Sequence, residues 1–270
     1  MGLKPLAIDL FCGLGGWTEG LLAEGYDVVG FDIKRHVYGN HCYPAQLVIQ
    51  DVRTLHGSQF RNATLIVASP PCQAYSYRAM PWRRAKALPP PDNALFNECF
   101  RIQREACEAA GRHIPMVVEN VRGAQPWVGR ARQNFGSFYL WGDVPALFVI
   151  ANNITSGYGR KAPDGTRWFN DEPRNPNSLA SSSSRSSKRK FASAMIAKIP
   201  LPLSRHIATT FKGASVGLKS NGEWNGICAC GKTVADGVRC RFGATHEKKH
   251  AFPWEIEQPE RKMPWERTPS

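Results

Sequence analysis

The stretch Thr64-Leu-Ile-Val-Ala-Ser-Pro-Pro-Cys-Gln73 opens on a short apolar run rich in β-branched residues, the pattern of a buried strand. Pro70 and Pro71 cannot continue a hydrogen-bonded ladder, so a stiff turn must follow at once. Cys72 comes next, which puts its sulfur at the mouth of a sheet, where open α/β folds bind ligands. A thiol held there is a candidate nucleophile. The plainer alternative is a small apolar residue closing the turn, since free cysteine is among the most buried residue types.

Upstream, Pro5-Leu-Ala-Ile-Asp-Leu-Phe-Cys12 reads as a strand, Gly13-Leu-Gly-Gly16 as a tight turn, and Trp17 to Glu24 as a helix. Glycines between a strand and a helix let the backbone approach a ligand closely, and the helix start offers unpaired N–H groups. A second strand, Asp27 to Asp32, ends in a carboxylate 19 residues beyond Gly13, near the spacing at which such folds place an acid on a ribose hydroxyl. A third, Gln46 to Val52, carries Asp51 near its end. Three strands ending in acids suit a cationic nucleoside better than a pyrophosphate. Singly, each acid could equally be a helix cap. The expected fold is α/β: a mostly parallel, Rossmann-like sheet with helices on both faces and a small irregular C-terminal region.

These segments carry a resemblance. Asp9-Leu-Phe-Cys-Gly-Leu-Gly-Gly16, Ser69-Pro-Pro-Cys-Gln73 and Val117-Val-Glu-Asn-Val121 resemble, in order and spacing, three motifs of the cytosine-C5 DNA methyltransferases. The resemblance covers roughly residues 5 to 142 and implies S-adenosylmethionine as cofactor and cytosine in double-stranded DNA as acceptor. It implies Cys72 as the thiolate that adds to C6 of the base, and Glu119 as the acid facing N3. An acid in that role needs its pKa raised by burial. Arg130 and Arg132 resemble the pair that contacts the flipped base and positions Glu119, although Val128 stands where the family carries glutamine. The implied cofactor contacts are Asp9, Phe11, Cys12, Gly13, Gly15, Asp32, Ile33, Asp51, Val52 and Pro70. Gln73, Tyr75, Arg78, Arg83, Arg84 and Asn120 are the implied nucleic-acid contacts. C5 is inaccessible in a stacked duplex, so the base must be flipped out. The segment from Ala74 to Asn93, basic and aromatic, matches the family's closing loop. An enzyme of the same chemistry acting on tRNA, and a catalytically silent binding module, are the competing readings.

The rest of the chain is less legible. Phe135 to Trp141 reads as one strand, and residues 193 to 212 as a helix broken at Pro200 and Pro202. Ile199 to Ala208 resembles the family's last motif, but Ile196-Ala197 stand where a Gly-Asn pair is usual. The expected organisation is a catalytic and cofactor-binding core over 1–151, a reduced target-recognition or linker region over 152–190, a core helix over 191–212 and a basic tail over 213–270. In the tail, Cys228, Cys230, Cys240 and His246, or His250 in its place, could bind structural zinc, or the thiols could simply be buried. Cys42, Cys99 and Cys107 are expected in the core.

Lys and Arg total 35 against 22 Asp and Glu, a net charge of +13 that favours a polyanionic partner. Eight cysteines in an α/β pattern do not read as a disulfide framework. No apolar stretch is long enough to span a membrane, and the N-terminus lacks a signal-peptide pattern. A cytoplasmic monomer of phage or prophage type is expected, with shielding of DNA from restriction as one purpose and no motif for a fused nuclease.

Overall fold

A computed structural model of the chain describes residues 3–76, 89–147 and 186–212. The first of these segments folds as β1 (Leu6–Leu10), α1 (Gly16–Ala23), β2 (Asp27–Asp32), β3 (Val37–Tyr38), β4 (His41–Cys42), β5 (Gln46–Ile49) and β6 (Leu65–Ala68). Then come α2 (Ala94–Ala110), β7 (Met116–Asn120), the single turn α3 (Gln125–Val128), β8 (Gln133–Phe135) and β9 (Phe138–Gly142). Two helices, α4 (Ser187–Ala197) and α5 (Leu201–Lys212), complete the described chain.

Seven strands form one sheet in the order β5-β2-β1-β6-β7-β9-β8, while β3 and β4 pair separately. The five strands from β5 to β7 are parallel, and β9 runs antiparallel between β7 and β8. The chain winds outward from β1 through β2 to β5, then returns to β6 on the other side of β1. That reversal opens a crevice at the carboxyl ends of β1 and β6, the place where doubly wound sheets bind ligands. The expected mostly parallel sheet with helices on both faces is what the chain forms.

Strand alternation sorts the core. Ile8, Leu10, Ile66, Ala68, Met116 and Val118 face α2, where Phe96, Cys99, Ile102 and Ala106 meet them. Ala7, Leu65, Val67, Val117 and Leu140 face the other way, towards Trp17 and Leu21 of α1 and Leu203, Ile207 and Phe211 of α5. By the same alternation Asp9 and Glu119 turn to this second face, Asp9 level with Val117.

Helices α1 and α5 touch through glycine. A Cβ on Gly20 would lie 2.1 Å from the Ser204 Oγ and 2.6 Å from the Arg205 nitrogen; one on Gly16 would lie 2.3 Å from the Ile199 nitrogen. The Tyr26 hydroxyl donates to the Ala208 carbonyl (2.9 Å), and Arg205 bonds Glu24 (2.7 Å).

Four expectations change. The third strand stops at Ile49, because the Asp51 carboxylate accepts from the Arg53 N–H (3.0 Å) and turns the chain into a 3-10 turn over Val52–Thr54. The single strand expected over Phe135 to Trp141 is the hairpin β8–β9, reversed at Gly136 with φ of +58°. The broken helix is two helices. Ser186 caps the first, and Pro202 sits in the opening turn of α5, where its missing N–H costs nothing. Cys99 and Cys107 are buried as expected, but Cys42 is exposed on β4.

At the opposite end of the sheet from the crevice, Asp143 accepts from the Met116 N–H (2.9 Å) and the Gln103 amide (3.0 Å) and pairs with the His113 Nε2 (3.0 Å). Burial opposes charge on His113, yet Asp143 and Cys107 outweigh it and push its pKa up to about 10.

Two outcomes test this packing. In an exposed helix Gly→Ala gains about 1 kcal/mol. Gly20→Ala should instead cost about 1–3 kcal/mol, as overpacking does, and urea unfolding reads the sign directly. The His113 pKa is raised on folding, so its contribution is complete below pH 6.5 and disappears as pH rises through about 10. Thermal melts of the wild type should therefore lose more stability than those of His113→Asn between those limits.

Candidate active site

The loop after β1 makes one side of the crevice. Phe11 adopts a positive φ of 57°, as do Gly13 (51°) and Gly15 (78°), and the Gly15 N–H bonds the Cys12 carbonyl at 2.7 Å. A left-handed phenylalanine is strained backbone, tolerated where surrounding contacts hold it. The Gly13 N–H donates to the Asp32 carboxylate (3.0 Å), so the 19-residue spacing seen in the sequence closes into a direct contact. Asp32 also accepts from the Lys34 N–H (3.3 Å) and stands 3.5 Å from the His36 Nε2.

Asp9 lies beneath this loop, 1% exposed. Its Oδ2 accepts from the Thr18 hydroxyl at 2.6 Å. Thr18 spends its one proton there, so the Tyr43 hydroxyl, 2.7 Å away, must donate to it. Tyr43 reaches this point from the loop after β4 by crossing Gly30, where a Cβ would collide with its ring. The second oxygen of Asp9 has no hydrogen-bond partner. Burial, with the Asp32 charge adding to it and Thr18 opposing, raises the Asp9 pKa to about 7.

The cleft above is lined by Phe11, Cys12, Gly13, His36 and Ser69, and from the far end of the chain by Ala194, Ala197 and Lys198. The last three were not readable from the sequence, because the expected Gly-Asn pair is absent. Lys198 is held at the rim by Glu19 (2.5 Å). Phe191 stacks on His41 and Tyr38, with ring centroids 5.0 and 5.9 Å away, and so pins α4 to the β3–β4 hairpin.

Across the crevice, β6 ends in Ser69-Pro70-Pro71-Cys72. The Asn120 amide donates to the Pro70 carbonyl (2.9 Å), and its oxygen accepts from the Val121 N–H (2.8 Å). The Tyr75 N–H (3.0 Å) and the Ser76 hydroxyl (2.9 Å) both bond the Cys72 carbonyl, fixing a tight turn behind the sulfur. Cys72 itself is half-buried. Burial pushes its thiol pKa up, and the Glu119 charge adds to the rise while Ser76 opposes it. Glu119, on the neighbouring strand β7, is 9% exposed, and burial raises its pKa to about 8 against the opposing Ser69 hydroxyl.

Several expected site residues sit differently. Tyr75, expected to meet nucleic acid, is buried; its hydroxyl donates to Asn93 (2.9 Å), whose amide donates to the Trp127 carbonyl (3.2 Å). Asn120, expected on the same surface, is buried and occupied with Pro70 and Val121. Val52, an expected cofactor contact, is part of the core facing α2. Asp51 serves as the cap of the following turn and pairs with Arg53, which holds its carboxyl below the usual range. Ile33 is 66% exposed beside Asp32, and Gln73 is exposed next to Cys72. Arg130 is exposed, and the Arg132 guanidinium leans on the Gly142 carbonyl (3.5 Å); neither forms an ion pair with Glu119 among the described residues. Arg78, Arg83, Arg84 and the candidate zinc ligands Cys228, Cys230, Cys240 and His246 lie outside the described residues. Among the described residues no group of three or more His, Cys, Asp or Glu gathers as a metal site, and no helix is long and apolar enough to cross a membrane.

No curated protein matches the sequence. An Escherichia coli prophage protein assigned as a DNA modification methyltransferase is similar in structure, with 25% identity and a TM-score of 0.31. The match covers 45% of this chain and 33% of that one. Dnmt2 of Schizosaccharomyces pombe gives 17% identity and a TM-score of 0.32, covering 46% and 36%. The Spodoptera frugiperda DNMT2 mutant gives 19% and 0.32, covering 46% and 38%. The chain thus spans little more than a third of these structures, and the strand order, rather than such partial overlaps, carries the fold. The family model for C-5 cytosine-specific DNA methylases matches residues 6–125, which hold the glycine loop, the buried acids and the Pro-Pro-Cys turn. Over those residues the chain is similar to the C-5 cytosine-specific DNA methylases.

Proposed function

We propose that the protein transfers a methyl group from S-adenosylmethionine to C5 of a flipped cytosine in double-stranded DNA. The observation that carries this reading is the Cys72 thiol in the turn after β6 and a buried, protonatable Glu119 at the end of the adjacent strand β7, beside the cleft lined by Phe11, Cys12 and Gly13. The cofactor fits the donors present: Asp9 offers a buried oxygen with no partner, which suits a cationic ligand. Asp32 stands where a ribose hydroxyl is taken in related sheets. Phe11, Cys12 and Gly13 would form the cofactor's wall, with Lys198 and the end of α4 opposite. When bound, S-adenosylmethionine supplies an electrophilic methyl on a sulfonium.

The chain's own residues do the rest. Cys72 must reach the ring as thiolate, and a charged Glu119 discourages that ionisation. A Glu119 that keeps its proton to about pH 8 removes the obstacle and supplies the acid. As the Cys72 sulfur bonds C6, the ring's electron pair moves towards N3, which takes the Glu119 proton, and C5 becomes nucleophilic. After methylation the C5 proton leaves to solvent, the sulfur departs, and N3 returns its proton to Glu119. The net charge of +13 supports a polyanionic substrate. We assign target reading to residues 152–190, and nucleic-acid contact, with or without zinc, to the tail over 213–270.

The direct test incubates duplex DNA or tRNA with labelled S-adenosylmethionine and either the wild type or Cys72→Ser, with bisulfite sequencing of the product. Label in DNA cytosine that disappears with Cys72→Ser is the expected result. Label in tRNA alone would transfer the same chemistry to another substrate, and silence on both would leave a binding module. Asp9→Asn should weaken cofactor binding by about 10- to 100-fold, as loss of a charged hydrogen bond does. Because Asp9 titrates near pH 7, wild-type affinity should fall as pH drops below 7, by up to about tenfold per pH unit, while the Asn variant stays flat. Calorimetry across pH 5.5–8 separates the two.

A further inference from the structure

Ser69 belongs to the Pro-Pro-Cys turn, yet the reaction as derived gives it no task. Strands β6 and β7 pair with Ala68 opposite Val118. One step further along that parallel register sets Ser69 beside Glu119, on the face covered by α1, at the separation of roughly 5 Å between neighbouring strands. From α1, the Trp17 indole N–H donates to the Ser69 Oγ at 3.0 Å. An indole N–H can only donate, so the Ser69 oxygen is the acceptor and its single proton is left to point elsewhere. Trp17 and Ser69 both line the cofactor cleft, so this pair stands between that cleft and Glu119.

We propose that Ser69, oriented by Trp17, is a positioning residue that fixes which oxygen of Glu119 carries the acid proton. The oxygen receiving the Ser69 O–H is held as the carbonyl oxygen, so a proton on Glu119 resides on the other one. The acid then presents its proton in one direction instead of two. The Ser69 hydroxyl favours the ionised carboxylate, consistent with its opposing the effect of burial on Glu119. This assignment rests on the proposed methyl transfer for its purpose but not for its detection.

The test is a carbon-13 NMR titration of protein labelled at the glutamate carboxyl carbon, with Glu119→Gln supplying the assignment. Relative to wild type, Ser69→Ala should titrate higher by on the order of one pH unit. Ser69→Thr, which keeps the hydroxyl, should return to the wild-type value. Trp17→Phe, which keeps the ring, should move part of the way. In turnover assays Ser69→Ala should lower kcat about tenfold and shift the alkaline limb of the pH profile upward, in step with the titration. An unchanged Glu119 titration in Ser69→Ala, or a Thr variant indistinguishable from Ala, would overturn the proposal. Wild-type protein that titrates as expected but methylates neither DNA nor tRNA would support the contact and remove the reaction it serves.

Discussion

Helix α1 can pack closely against α5 and the residue leading into it only because Gly16 and Gly20 have no side chains. The clearance left for a Cβ is 2.3 Å at the first and 2.1 Å at the second, far inside van der Waals contact. With α5 seated there, the first turns of α1 are held from both sides, and each residue has a fixed target. Trp17 reaches Ser69, Thr18 reaches Asp9, and Glu19 holds Lys198 at the cleft rim. The cleft and the thiol turn are built from separate loops in sequence. They share one geometry because one helix, clamped by a segment some 180 residues away, touches both.

The same clamping sets the electrostatics. Burial cuts both strand carboxyls off from water, so Asp9 and Glu119 resist ionisation. The crevice therefore holds two carboxyl groups that exchange protons near neutrality and a thiol that keeps its own. At the other end of the sheet the balance is opposite: His113 and Asp143 are also shielded, but each supplies the other's countercharge and both stay ionised. Burial alone does not decide the outcome; the presence of a partner does.

How much of this was legible in the sequence follows from how local each signal is. The parallel strands announced themselves through short β-branched runs, Cys72 through its position after such a run, and Glu119 through the resemblance of Val117-Val-Glu-Asn-Val121 to a family motif. Hairpin β3–β4 escaped because two-residue strands leave no periodicity, although Gly39-Asn40 marks a turn. Gly136 similarly concealed a reversal inside an aromatic run. Tyr75 and Asn120 look, by type and place, like surface contacts. Their burial depends on Asn93 and Pro70, partners 18 and 50 residues away, and no spacing rule encodes those. The contribution of α4 to the cleft was invisible for the same reason: Ala194 and Ala197 carry no chemistry of their own and matter only through where the helix is placed.

The hydrogen bond between Tyr75 and Asn93 fastens together the two ends of the segment that follows Cys72. Both anchors are tied into the core, Tyr75 by burial and Asn93 through the Trp127 carbonyl. Tyr75 and Asn93 thereby stand as two fixed posts on either side of that connecting segment. Lengthening such a connection is thermodynamically cheap, about 0.6 kcal/mol for each doubling. The Cys72 turn thereby keeps its place whatever length of chain joins the two posts.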